Sequence, residues 1–184
     1  MKKARADRTW SLLVASSAMD DPFFEKSVVL LLEDGEEGSF GVLINRRFKL
    51  PPSPVISELS KFKKLSALHI FMGGPVDKDK LTIAVWGNLN SAIGNFSFGL
   101  NPNKAEKLLE ANAAAKGAIF SGYCAWESGQ LEAEIAEGMW LSCDVDLSLL
   151  ETDKPEGIWE KLTMLANPLF SKFPIPNKGD SSKN

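Results

Sequence analysis

At 184 residues, 44% of them hydrophobic, the chain has the length of one domain and can bury roughly 70% of the surface it exposes when unfolded, leaving no material for a second core. A formal net charge of -3 excludes any overall attraction to phosphate backbones or anionic membranes. Two cysteines are too few for a disulfide framework or a zinc site, and no stretch approaches the roughly 20 apolar residues of a membrane span; with a charged start in place of a signal core, the expected location is the cytoplasm.

Residues 1–9 read as a loose basic arm, residues 10–176 as the domain, and residues 177–184 as a disordered tail. Trp10 to Ala15 supplies a first apolar strand. Asp20-Asp21-Pro22 followed by Phe23-Phe24 reads as a polar turn pinned to the core by two rings. Ser27 to Glu33 and Phe40 to Ile44 are short, partly β-branched apolar runs joined across Asp34-Gly35-Glu36-Glu37-Gly38, the pattern of a hairpin buried on both faces. Pro51, Pro52 and Pro54 then stop any sheet ladder, and Ser53 with Pro54 would start a short helix through Phe62 that buries Val55, Ile56 and Leu59.

Leu68 to Met72 is the next strand; Gly73-Gly74-Pro75 breaks it, and Leu81 to Trp86 follows as another. Phe96 and Phe98 alternate as a weak strand. Asn101-Pro102 caps a helix over Lys104 to Ala115, which Gly117 ends. Ala118 to Tyr123 returns as a strand, Cys124 to Ser128 is a loop, and Gly129 to Glu137 is a helix closed by Gly138. Met139 to Asp144 is the last strand, after which Asp153 would cap a helix through Leu165 with Trp159, Leu162 and Leu165 facing inward.

Several fragments, in order, resemble the YqgE/AlgH family of bacterial cytoplasmic proteins: Ala15-Ser16 with Asp21-Pro22-Phe23, Ser27 to Leu31, Gly41 with Asn45-Arg46, Gly73-Gly74-Pro75-Val76, and Gly122-Tyr123 with Trp126 and Gly129 to Glu132. The resemblance spans Leu12 to Leu165. It implies a single α+β domain whose branched, partly barrel-like sheet is surrounded by helices. It brings no established biochemical activity; one branch of the family is linked to transcriptional regulation of alginate synthesis. Ser17, Arg47 and the pair Cys124-Ala125 depart from the residues usual at those places in the family.

Hydrolytic chemistry normally needs a base titrating near neutrality, and His69 is the lone histidine, set inside a strand with no nucleophile elbow beside it, so it reads as structural. Cys124, placed just before a helix start, is the one candidate thiol nucleophile. Asp20 and Asp21, with Asp77 and Asp79, could in principle hold a hard cation, but no calcium-loop spacing accompanies them. Gln130 and Glu134 share a helix face, whereas Glu132 and Glu134 diverge by about 200° and cannot act as a paired acid and base. Arg46 to Lys64 gathers Arg46, Arg47, Lys49, Lys61, Lys63 and Lys64 against Glu58 alone, a basic stretch facing an acidic second half.

The reading is a non-enzymatic binding or regulatory module, without cofactor or catalytic metal, for a protein or small-molecule partner. Its expected surface gathers Asp20, Asp21, Phe23, Asn45, Arg46, Gly73, Gly74, Pro75, Tyr123, Trp126 and Gln130, all at strand ends. The alternatives are a hydrolase using Cys124 or a metal held by Asp20, Asp21 and Asp79, and a nucleic-acid binder using Arg46 to Lys64; no reader motif supports the last. Neither membrane association nor any particular oligomeric state is implied.

Overall fold

A computed structural model describes residues 8–49, 57–87, 96–144 and 147–166. Among the described residues eight strands make one sheet: β1 (Ser11–Ala15), β2 (Val28–Gly35), β3 (Gly38–Leu43), β4 (His69–Met72), β5 (Val76–Trp86), β6 (Phe96–Leu100), β7 (Lys116–Glu127) and β8 (Trp140–Asp144). Their order is β6-β5-β7-β3-β2-β1-β8, with β4 branching off β7. All pairings are antiparallel except β4 with β7. The sheet ends in separate edges at β6 and β8, so its curvature stops short of a closed barrel.

Strand β7 is the branch point. Its first half pairs with β5 and β4, and its second half pairs with β3. Period-two alternation sends Ala118 and Phe120 into the central core and Ile119 into the layer under the first helix. Strict alternation would place Cys124 with Phe120. Instead Gly122 takes a left-handed φ of 75°, Tyr123 packs on the central core, and Cys124 and Trp126 turn to the opposite layer. A side chain at Gly122 would strike the Gly74 and Val76 carbonyls, at 2.6 and 2.8 Å, so glycine is required there twice over.

The same alternation splits β1 and β2. Leu12, Val14, Val28 and Leu30 enter the central core, whereas Leu13, Ala15, Val29 and Leu31 enter the layer containing Trp126 and Trp140. Both strands are therefore covered on two faces, as their continuous apolar runs require. The hairpin strands extend two residues further than the apolar pattern, because Gly35 pairs with Gly38 and the reversal falls on Glu36 and Glu37.

Among the described residues, three α-helices with both ends defined flank the sheet. In α1 (Pro102–Ala111), Asn101 Oδ1 accepts from the Lys104 N–H at 2.9 Å, and Ala105 and Leu109 are the buried pair. It ends before the expected Ala115, since Asn112 goes extended and its side chain accepts from the Ala114 N–H, a local bond that competes with another helical turn. Gly117 lies in β7 instead. In α2 (Gln130–Ala136), entered through Gly129 at φ 79°, Leu131 is buried.

The last helix, α3 (Ile158–Ala166), is preceded by a 3-10 turn at Pro155–Gly157, so Asp153 does not cap it. Ile158 and Leu162 are buried and Trp159 Nε1 donates to the Ala15 carbonyl at 2.7 Å, but Leu165 is 44% exposed and does not face inward. The backbone is helical over 57–59 with Leu59 buried, whereas Ser53, Pro54, Val55 and Ile56 lie outside the described residues. The arm through residue 7 and the tail from residue 167 lie outside them too. Arg8 is held firmly: its N–H and Nη1 both donate to Asp34 Oδ2 at 3.2 Å.

Candidate functional site

The turn after β1 is built by Asp21, whose Oδ1 accepts the Phe23 N–H at 2.7 Å, closing a loop that aims consecutive rings in different directions. Phe24 goes inward, 6.3 Å from Trp126 and 5.5 Å from Trp140 between centroids. Phe23 stays half-exposed, 5.0 Å from Phe24. The Arg46 guanidinium carbon lies 5.2 Å from the Phe23 centroid and Lys78 Nζ lies 5.9 Å from it, so two cations share one aromatic ring.

Each cation is carried by anchored backbone. Arg46 Nη2 donates to the Glu25 carbonyl at 2.9 Å and to Ser27 Oγ at 2.8 Å, which consumes two of its five N–H donors. The Lys78 carbonyl accepts from the Ser121 hydroxyl on β7. Partial burial pulls the Arg46 guanidinium below its ordinary value, opposed by the nearby Cys124 sulfur. Neither Arg46 nor Lys78 has a carboxylate within ion-pairing distance among the described residues, whereas neighbouring Lys80 is paired with Asp77 at 2.6 Å. That pair lifts the Lys80 ammonium above its usual value.

Of the other expected surface residues, Asp20 is exposed on the turn and the rest are engaged within the fold. Asn45 is buried; its Oδ1 accepts from the Val28 N–H at 2.9 Å and its Nδ2 donates to the Lys26 carbonyl at 2.8 Å, which fixes the stem of Arg46. Gly73 and Gly74 let two backbones touch: an added Cβ would sit 2.1 Å from the Gly122 carbonyl oxygen and 2.0 Å from the Tyr123 carbonyl carbon. Pro75 follows them into β5. Tyr123 packs on Phe40, 4.9 Å between centroids, toward the central core. Trp126, 4% exposed, is interior rather than a recognition residue. Asp21, Arg46 and Trp126 therefore do not line one cleft; they sit along an aromatic series whose outer end alone is the Phe23 surface.

A second cluster closes the inner end. Glu134 Oε2 accepts from Trp126 Nε1 at 2.9 Å and Trp140 Nε1 at 2.7 Å, while its Oε1 accepts from Gln130 Nε2 at 2.9 Å. Gln130 Oε1 in turn accepts the Glu127 N–H at 3.0 Å. Gln130 and Glu134 share a helix face as their spacing requires, and that face knits α2 to β7 and β8. An open depression of about 430 Å3 lies beside it, lined by Glu33, Glu36, Glu37, Ser39, Phe40 and Trp126.

Cys124 is not in a loop ahead of a helix. It lies within β7, is 0% exposed, and burial pushes its thiol up to about 12, the reverse of what a thiolate nucleophile needs. His69 is in β4 as expected but exposed, its Nε2 3.2 Å from Arg47 Nη1; burial and Arg47 hold its imidazole below the usual value. Arg47 Nη2 also donates to the Asp153 carbonyl at 3.0 Å, so Arg46 and Arg47, adjacent in sequence, serve separate sites. The rest of the basic stretch is dispersed: Lys61 lies over Phe62, and the Lys64 and Leu65 N–H groups are capped by the Glu106 carboxylate of α1. No group of three or more His, Cys, Asp or Glu side chains is placed to hold a metal ion among the described residues; Asp20, Asp21 and Asp79 do not assemble one. No helix among them is long and apolar enough to cross a membrane.

Sequence reasoning missed Lys78 and Glu134. Asp77 and Asp79 stand out as carboxylates after the Gly-Gly-Pro turn, and nothing local marks Lys78 between them as the residue that reaches Phe23. For Glu134 the signal was half present, in its shared face with Gln130, but nothing in the local pattern shows that the indoles of β7 and β8 on either side of the helix both turn toward it.

The fold defines a class: a single α+β domain with an open, branched eight-stranded sheet and helices on its outer faces. Within that class, residues 12–168 match the model of the AlgH-like family, and the chain belongs to that family. Relatives include a UPF0301 protein of Streptomyces avermitilis, 33% identical with 84% of each chain covered, and one of Streptomyces coelicolor, 34% identical with the same coverage. Among solved structures, the solution structure of the AlgH protein from Pseudomonas aeruginosa is 26% identical with a TM-score of 0.67, covering 95% of this chain and 98% of that one. A Corynebacterium diphtheriae protein shares the fold at 20% identity and the same TM-score.

Proposed function

We propose that this chain is a non-enzymatic binding or regulatory module of the cytoplasm, acting through the surface around Phe23, Arg46 and Lys78. The observation that carries the reading is a half-exposed ring flanked by two cations, anchored from behind and lacking a counter-ion among the described residues. Rigid aromatic and arginine side chains at an exposed site are the groups that dominate protein recognition energies. A buried thiol pushed up to about 12 and an exposed histidine tied to Arg47 offer no nucleophile and base in register, which supports a role without turnover. An indirect part in transcription, through a protein partner, fits the regulatory link of one branch of the family.

Affinity capture from lysate with the intact chain, Arg46→Glu and Arg47→Glu tests this. Partners retained by Arg47→Glu and lost by Arg46→Glu are the expected outcome. Multiple turnover of simple esters or phosphates by the pure protein, abolished by Cys124→Ala or Asp21→Asn, would overturn it.

A further inference from the structure

We infer that the Phe23, Arg46 and Lys78 cluster takes an acidic, amphipathic peptide segment of a protein partner; this rests on the binding reading above and names what is bound. Three features point to the chemistry. First, Arg46 is a partly desolvated cation, and removing a charge from water is unfavourable unless an opposite charge or hydrogen bonds compensate. Its Nη2 is occupied by Glu25 and Ser27, while three N–H donors remain for an incoming oxygen. Second, Lys78 brings another exposed cation to the same ring without pairing to a carboxylate of this chain among the described residues. Third, Phe23 supplies an apolar surface at the centre of the charges, half-exposed and backed by Phe24.

The charges nearby decide what kind of anion fits. Asp20, Asp21 and Glu25 are exposed on the turn that carries Phe23, and the chain as a whole is at -3. A densely charged polyanion such as a nucleic-acid backbone would meet these carboxylates along with the cations. Two carboxylates spaced along a peptide with an apolar residue between them can meet the two cations while setting fewer charges against that turn. In an extended segment the residues i, i+2 and i+4 share one face, so Glu-x-Leu-x-Glu presents two carboxylates astride one apolar side chain. That is the complement of two cations 5.2 and 5.9 Å from one ring centroid. Charge complementarity of this sort sets specificity and association rate, and it weakens with salt.

The test is fluorescence anisotropy with a fluorescein-labelled peptide carrying Glu-Ser-Leu-Ser-Glu, its lysine-for-glutamate counterpart, and inorganic phosphate as competitor. Saturable, salt-sensitive binding of the acidic peptide is expected. It should weaken at least tenfold in Lys78→Glu and in Phe23→Ala, and stay unchanged in Lys104→Glu on the far helix α1. Lys78→Glu leaves the anchoring main-chain carbonyl in place, so loss of binding without loss of the circular dichroism spectrum reports the surface and not the fold. Absent binding, binding indifferent to Lys78→Glu, equal binding of the basic peptide, or full displacement by phosphate at the peptide's own affinity overturns the inference. A concentration-dependent dimer that Lys78→Glu abolishes, with no peptide bound, overturns it in favour of a second copy. If lysate partners depend on Phe23 and Arg46 while the peptide fails, the binding reading stands and this inference falls; if both fail, both fall.

Discussion

Glu134 and Arg46 are both charged groups set against aromatic rings at the two ends of one series, Phe23, Phe24, Trp126 and Trp140, yet the protein treats them in opposite ways. Glu134 accepts from two indoles and a carboxamide, so its charge is met by donors the fold supplies. Arg46 is held by a carbonyl and a hydroxyl, neither of which carries a negative charge. The satisfied charge at the inner end joins α2, β7 and β8, whereas the one at the outer end meets no carboxylate among the described residues. A charge set against aromatic rings is thus a structural joint in one place and a surface group in the other, and the difference is which partners the backbone brings within reach.

The largest test removes the frame common to both ends. Gly74→Ala would put a methyl 2.0 Å from the Tyr123 carbonyl carbon, and Gly73→Ala one 2.1 Å from the Gly122 oxygen, both against backbone that cannot step aside. Either should cost about 4 kcal/mol or more, which for a chain of this size is a drop in Tm of about 8–16 °C. Calorimetry on these variants should show both regions lost in one transition; a near-normal Tm would mean that the crossing of β4 over β7 is looser than drawn.

Next, Glu134→Ala breaks the inner end alone. Two buried indole N–H groups lose their acceptor, each unsatisfied group costing about 1–3 kcal/mol, and Glu134→Gln, which keeps an oxygen, should recover part of the loss. Tryptophan fluorescence during urea unfolding reads both. Asn45→Ala sits between the two regions: losing its bonds to the Val28 N–H and the Lys26 carbonyl should cost about 1–3 kcal/mol. If Asn45 also fixes the stem of Arg46, this variant should lower partner capture more than an equally destabilising change elsewhere in the core.

The smallest effect lies at the site that Arg47 serves. Because burial and the Arg47 charge disfavour imidazolium, the proton resonances of His69 should titrate with a midpoint below the ordinary histidine value, and Arg47→Ala should move it upward. The folded state then binds fewer protons than the unfolded state in that window. Stability from this group is present above the ordinary value and falls as pH drops from there toward the folded-state midpoint. His69 is exposed, so the contribution is small. An unshifted midpoint in the intact chain would dissolve the contrast between Arg46 and Arg47.

Much of the scaffold was legible from local pattern. Short apolar runs bounded by Asp, Asn and Gly marked β1, β2, β3, β4 and β8 to within a few residues, and Asn101-Pro102 marked the start of α1. The ordered fragments from Ala15 to Glu132 pointed to the family that residues 12–168 match. The candidate site was legible in part: Phe23 and Arg46 were among its expected residues and do meet. Asn45, Gly73, Gly74 and Trp126 carry the same polar, flexible or aromatic character but serve packing, and nothing in a linear pattern separates the two uses. Cys124 to Ser128 read as a loop leading into the helix at Gly129, yet pairing with β3 holds the chain extended through Glu127.

By itself, then, the sequence determined which stretches form most of the strands and where α1 starts, since hydrophobic periodicity, caps and breakers act on the residues beside them, while the starts of β5 and α3 differ from the local pattern. Only the tertiary structure decided which face each side chain took and what met it there. The left-handed backbone at Gly122 turns Cys124 and Trp126 to the opposite layer, and close crossing at Gly73 and Gly74 brings β4 onto β7. The placement of β7 and β8 around α2 then gives Glu134 its two indoles, and the fold leaves Arg46 without a carboxylate among the described residues. Charges settle with whatever the folded backbone places within a few ångströms, and that distance is a property of the whole sheet.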